Sequence, residues 1–271
     1  MPNLEPWQWV FAIIGSILVG ISKTGIAGVG IFSVVVFANT FPARSSTGLI
    51  LPLLVVADIV AAVSYRQHAQ WKYLLRLFPW VGVGIGVGYG AMFYLTTDRA
   101  VGRLIGGIVV AMVGLHLWRE RGGNGFADSK PTTVIENHSP TFDFQSPVSS
   151  HHLHHPISFA VIGLLCGFTS MVANAAGPIM ILYMLAVGLP KMEFMGTAAW
   201  YFFLINVCKL PFSWHLNLIT PDSLWINLWL APLVVLGALA GRVIFRRINQ
   251  KWFTRIALSC TLIAGIRLLS L

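Results

Sequence analysis

The sequence predicts an all-α polytopic membrane protein: two inverted repeats of about five helical segments each, with roughly eight to ten transmembrane segments. Three observations carry this: a scarcity of charge, a pair of interrupted apolar segments in matching positions, and basic clusters placed differently in the two halves. Only 10% of the 271 residues are charged and 56% are hydrophobic, with a mean hydropathy of +0.75. A soluble domain carries about 25% charged residues, so long apolar runs at this composition belong in a bilayer.

A spanning helix needs about 20 apolar residues, and Ser46–Ser64, Tyr73–Leu95, Val101–Trp118, Phe194–Leu210, Leu224–Phe245 and Phe253–Leu269 approach or meet that length. Trp7–Ile21, Gly25–Thr40, Ile157–Ser170 and Asn174–Val187 are shorter or broken, and read as half-helices, re-entrant hairpins or tilted spans. The first apolar run has no basic n-region and no Ala-x-Ala-like cleavage site. It is therefore expected to stay as the first helix and not to be removed as a signal peptide.

The interruptions are Gly20-Ile21-Ser22-Lys23-Thr24-Gly25-Ile26-Ala27-Gly28-Val29-Gly30 in the first half and Gly167-Phe168-Thr169-Ser170-Met171-Val172-Ala173-Asn174-Ala175-Ala176-Gly177-Pro178 in the second. Glycine and proline weaken a helix, and irregular backbone survives at membrane depth only against protein or a watery cavity. Matched breaks of this kind point to a transport site.

The signals around the breaks recur in order. A Pro turn follows each (Phe41-Pro42; Leu189-Pro190), then a helix starting near Gly48 or Gly196, then a helix with an early proline (Pro79; Pro232) and spaced glycines (Gly84 and Gly88; Gly237 and Gly241). This order indicates an internal duplication. Arg66, Lys72 and Arg76 lie between the third and fourth segments of the first half, whereas Arg242, Arg246, Arg247, Lys251 and Arg255 lie between the fourth and fifth of the second. Placing both clusters in the cytoplasm makes the repeats run in opposite directions, with both termini outside.

The domains expected are residues 1–118 and 157–271 as the two membrane repeats, joined by a flexible His-rich cytoplasmic linker over 119–156. The linker is too polar to build a core. Its His151-His152-Leu153-His154-His155 run lacks a nearby carboxylate or thiol, which favours a solvated linker over a metal site. Cys166, Cys208 and Cys260 stand singly in apolar stretches and read as small core residues. The net charge of +9 sits at the ends of apolar segments, which fits membrane topology and not nucleic-acid binding.

Ionisable residues inside apolar segments need an explanation. Asp58 is the acidic residue that falls well inside one, and its counterpart in the second half is Asn206. The two are expected to face each other, as a proton relay or substrate-orienting pair, or as a structural hydrogen bond between the repeats. Lys23 stands at the first break and Lys209 one turn from Asn206. Both are candidates to balance an anion, although Lys209 has the alternative of snorkelling to the interface. Arg44 reads either as an entrance residue or as an interfacial one.

Helices restarting after Gly25 and after Asn174 would present unpaired N–H groups and a positive dipole end to an anion. Ser22, Thr24, Thr169, Ser170 and Asn174 add hydrogen-bonding groups, and small residues such as Ala175 and Gly177 let an oxyanion approach the backbone. The Gly82–Gly90 run is read instead as helix packing. Walker A, Gly-x-Ser-x-Gly, His-Glu-x-x-His and dinucleotide fingerprints are absent, so neither an enzyme nor a built-in ATP-driven pump is expected.

At the two breaks and the Gly188-Leu189-Pro190 turn, the chain resembles the sulfite exporter TauE/SafE family of membrane permeases, over nearly everything but the linker. The resemblance implies a duplicated helical permease of a bacterial cytoplasmic membrane that moves sulfite or organosulfonate anions, often outward. The expected site is Ser22, Lys23, Thr24 and Gly25 against Ser170, Asn174, Ala175, Gly177 and Asn206, with Asp58 as the proton-coupling group. The expected partners are the small anion and the lipid bilayer; a homo-oligomer is allowed, and no cofactor, metal or nucleic acid is expected. The rival functions are uptake of another small organic anion, and a non-transporting metal sensor or assembly factor.

Overall fold

The computed structural model describes residues 4–25, 29–95, 97, 99–101, 103–108, 110–111, 156–187 and 189–244. Among them the regular elements are all helical. The first half contains α1 (Pro6–Thr24), α2 (Gly30–Thr40), α3 (Ala43–Tyr65), a 3₁₀ turn (Arg66–His68) and α4 (Trp71–Tyr94), and the second contains α5 (Pro156–Ala173), α6 (Gly177–Val187), α7 (Lys191–His215) and α8 (Pro221–Ile244). Residues 99–101 and 103–108 are also helical. The His cluster, Cys260, the basic residues from Arg246 onward and Phe253–Leu269 lie outside the described residues.

The chemistry of each start and stop is visible locally. Pro6 opens α1, where its missing N–H costs nothing, and Gln8 Oε1 accepts the Glu5 N–H at 3.0 Å. Gln8 Nε2 donates to the Thr40 carbonyl at 3.1 Å, so the start of α1 holds the end of α2. With Gly30 beside Ser22 and Gly15 against Phe37, α2 returns antiparallel along α1. Prolines cap α3 and α7 at Pro42 and Pro190, the two turns matched in the sequence.

The first interruption sits later than expected. Gly20 through Thr24 remain helical, and the chain leaves the helix at Gly25. The Ser22 hydroxyl returns to the Val19 carbonyl at 2.7 Å, and the Thr24 hydroxyl finds the Ala238 carbonyl at 2.5 Å, so both are satisfied without breaking the helix. In the second half α5 likewise runs through Gly167–Ala173, and the break falls at Asn174, whose φ of 50° is left-handed. Asparagine tolerates that region better than most residues with a Cβ.

Among the described residues four helices, Pro6–Thr24, Ala43–His68 including the 3₁₀ turn, Trp71–Tyr94 and Pro221–Val243, are long and apolar enough to cross a bilayer. The Trp7–Ile21 stretch is thus a continuous long helix and not a half-helix. By contrast α2 and α6 have 11 residues each. At about 1.5 Å per residue they cover about 16 Å, half of a hydrocarbon core of about 30 Å. The span containing α3 is the inner one: 67% of it is buried, against 33–39% in α1, α4 and α8. Those outer helices expose Val10, Phe11, Leu75, Val83, Leu228 and Leu236, an apolar surface suited to acyl chains.

Glycines set the helix pairing. Gly20 lies against the backbone of Val234 and Ala238, and Gly237 against Ile17, which locks α1 to α8 in parallel. Gly84 and Gly167 do the same for α4 and α5, with Gly88 against Met171. Gly82, Gly86 and Gly90 have open space, so the packing expected of the Gly82–Gly90 run belongs to its alternate glycines. Gly48 at the start of α3 meets Leu218 just past α7, and Gly196 at the start of α7 meets His68 just past α3. The two inner helices therefore run antiparallel, each beginning where the other ends.

Candidate functional site

Where α1 ends and α5 breaks, α3 and α7 bring two polar groups together. In the first, Asp58, fully buried on α3, forms an ion pair with Lys23 Nζ at 2.9 Å and accepts from Asn206 Nδ2 at 2.5 Å. The Lys23 ammonium also lies 4.1 Å from the centre of the Phe202 ring, a cation–π arrangement. Asp58 and Asn206 are thus partners, as their matched positions suggested. Lys23, a candidate from the sequence to supply positive charge to an anion, already has a carboxylate partner.

The second group centres on Lys209. Its side chain is 1% exposed, and Nζ donates to the Ser170 carbonyl at 2.9 Å and to Asn174 Oδ1 at 2.7 Å. It does not snorkel. Asn174 in turn donates through Nδ2 to the Thr47 carbonyl at 3.0 Å, which joins the break after α5 to the start of α3. The left-handed turn at Asn174 aims the side chain so that its two ends serve these two partners.

Between the two groups lies a cavity of about 70 Å³. One water needs about 10–15 Å³ of such space, so a few waters or a small anion fit. Its polar lining includes Ser22, Lys23, Ser170, Asn174 and Asn206, with the small residues Gly30, Ala175, Ala176 and Gly177 and an apolar wall that includes Leu54, Met180 and Phe202. Gly30 and Gly177 are the first residues of α2 and α6, so both short helices turn their N-terminal ends to the cavity. A helix opens with N–H groups that have no carbonyl a turn earlier and with a positive dipole end, and here Phe32 and Met180 already turn to the Val29 and Ala176 carbonyls just before the two helices. Such an arrangement suits an oxyanion.

Seven of the sequence-selected residues line this space: Ser22, Lys23, Ser170, Asn174, Ala175, Gly177 and Asn206. Thr24, Gly25 and Asp58 do not. The Thr24 hydroxyl donates to the Ala238 carbonyl at 2.5 Å, and Gly25 packs on Gly241, so both serve the α1–α8 contact. Asp58 stands behind the lining and acts on it through Lys23 and Asn206. Thr169 turns back to the Leu165 carbonyl at 2.7 Å, and Arg44 Nη1 donates to the Leu95 carbonyl at 2.5 Å, past the end of α4.

Sequence reasoning missed Phe202, Gly30 and the commitment of Lys209 to the break. A lysine one turn from Asn206 in an apolar run was the available signal for the last. Cys166 and Cys208 are free cysteines, and no cluster of potential metal ligands occurs among the described residues.

No curated protein and no solved structure shows a significant match to the chain. The TauE family, described as sulfite exporter TauE/SafE, matches residues 12–268, nearly the whole length and both sides of the cavity. The chain, a helical membrane protein with an anion-suited cavity between its halves, belongs to the sulfite exporter TauE/SafE family.

Proposed function

We propose that the protein is a secondary transporter that exports a small oxyanion, sulfite or an organosulfonate, across the cytoplasmic membrane by alternating access. The observation that carries this is the cavity at which Lys23, Asn174 and the N-terminal ends of two short helices converge. Family membership makes a sulfur oxyanion the first choice of cargo. Three oxygens around a small centre match a site of scattered donors with little room.

In this mechanism Ser22 and Asn206 orient the anion, the first turns of α2 and α6 supply N–H groups, and Lys23 supplies positive charge moderated by Asp58. The halves act as inverted repeats, which the antiparallel α3 and α7 and the reciprocal contacts of Gly48 and Gly196 support. Rocking of one half against the other then exposes the cavity to each side in turn. Any driving force comes from the anion or ion gradient.

Purified protein in proteoliposomes tests this with a panel of sulfite, sulfonates and carboxylates. Lys23→Ala and Asn174→Ala are expected to abolish sulfur-oxyanion flux while the protein remains folded by size-exclusion chromatography. Unchanged flux in both variants would overturn the site, and preference for carboxylates would overturn the cargo.

A further inference from the structure

Lys209 differs from Lys23 in one respect that matters for charge. Lys23 has Asp58 at 2.9 Å, whereas the two acceptors held by Lys209 Nζ, the Ser170 carbonyl and Asn174 Oδ1, are both neutral. The charged side chains that act on Lys209 across the helices are Lys23 of α1 and Asp58 of α3, while Cys166 of α5 and Tyr89 of α4 are further titratable groups on neighbouring helices. The first two are paired with each other, and the Tyr89 hydroxyl lies 2.9 Å from His215 Nδ1. Buried Cys166 is a free thiol. Among the described residues no carboxylate pairs directly with Lys209 Nζ, and the nearest one that acts on it, Asp58, is already paired with Lys23.

An unbalanced ammonium is costly in a low-dielectric interior. A neutral amine can still donate hydrogens to both acceptors and keep a lone pair for a proton. Both residues that Lys209 holds, Ser170 and Asn174, line the cavity, so an anion bound there stands one side chain away from it. Such an anion is the missing counter-charge.

We propose that Lys209 is the proton-coupling group of the site, taking up a proton when an anion occupies the cavity and losing it when the anion leaves. This rests on the transport function above. The proton adds to the amine lone pair and departs from the resulting ammonium, and no other bond forms or breaks. Anion and proton then cross together, so the net charge moved is one unit more positive than for the anion alone. Asp58 is a poorer candidate because Lys23 and Asn206 already engage its two oxygens.

The test uses the full chain in proteoliposomes with an internal pH dye and a clamped membrane potential. The cargo is sulfite or methanesulfonate, whichever the wild type moves faster. Lys209→Arg places a charge that cannot be lost. It is expected to lower proton entry by one per anion relative to wild type and to make flux correspondingly more potential-dependent. Lys209→Met is expected to lose proton entry together with most of the flux.

Proton entry per anion unchanged in Lys209→Arg would overturn the proposal, as would loss of coupling in Asp58→Asn with anion flux intact. If neither Lys209 variant folds, the wild type decides: methanesulfonate flux carrying no proton overturns the proposal, and one proton per anion with no dependence on potential supports it. Absence of sulfite and methanesulfonate flux alike overturns the transport function itself, and the coupling with it.

Discussion

Asp58 and Asn206 meet side chain to side chain at 2.5 Å, from matched positions on two helices that run antiparallel. One is a carboxyl group paired with Lys23 and the other an amide, so a contact between equivalent positions is chemically one-sided. Asn206 also lines the cavity, while Asp58 is sealed behind it. The ion pair therefore reaches the site through an amide.

That arrangement predicts strong coupling between Lys23 and Asp58 in stability. Removing one partner of a buried pair leaves a bare charge and costs about 3–5 kcal/mol, whereas replacing both with apolar residues is often near neutral. Lys23→Met and Asp58→Leu should each lower the thermal midpoint in detergent, and the double variant should recover most of the loss. Additive losses would show that the two charges do not sense each other.

Asn174 combines a backbone role with a side-chain role. Asn174→Gly removes the bonds to Lys209 and Thr47 but suits the φ of 50°. It should keep the fold and lose oxyanion flux. Asn174→Ala adds the cost of a left-handed Cβ, about 1–2 kcal/mol, and should melt below the glycine variant. Equal midpoints for the two would remove the backbone part of the argument.

Asn174→Asp is a sharper probe of charge. It places a carboxylate against Lys209 Nζ and holds that group as a permanently paired ammonium. Sulfite flux should fall at least about tenfold, the loss expected when about 1.4 kcal/mol of site stabilisation is withdrawn. Stability should be kept or increased. A variant that transports normally would separate Lys209 from the site.

The glycines divide into two classes that substitution will distinguish. Gly20→Ala drives a Cβ into the backbone of α8, and strain of this kind costs about 1–3 kcal/mol. Gly86→Ala meets nothing within 4 Å. It should stabilise α4 by about 0.5–1 kcal/mol through helix propensity. The difference is readable from thermal unfolding of the two variants in the same detergent.

The sequence made the membrane fold legible because bilayer physics is written in composition and segment length. It also exposed the matching of Gly48 with Gly196 and of Asp58 with Asn206, since equivalent positions keep their place in the order of signals even where identity is low. The exact break points were harder to read. Hydroxyls that return to their own helix, as at Ser22, or bond a neighbouring one, as at Thr24, look in sequence like helix breakers. The direction of a lysine near a segment end was equally hidden: Lys209 folds inward because the carbonyl of Ser170 and the amide of Asn174 await it at the end of α5 and the break that follows.

The pairing of α1 with α8 and of α4 with α5 bears on how the protein is made. In each half an outer helix carries glycines that pack against the backbone of a helix of the other half. During synthesis α1 enters the membrane long before α8 exists, so its small-residue face must stay against lipid or against an insertion chaperone until the last part of the chain arrives. Assembly is thus a late event, and a truncated product ending after the first half should be recognised by membrane proteases as an orphan subunit.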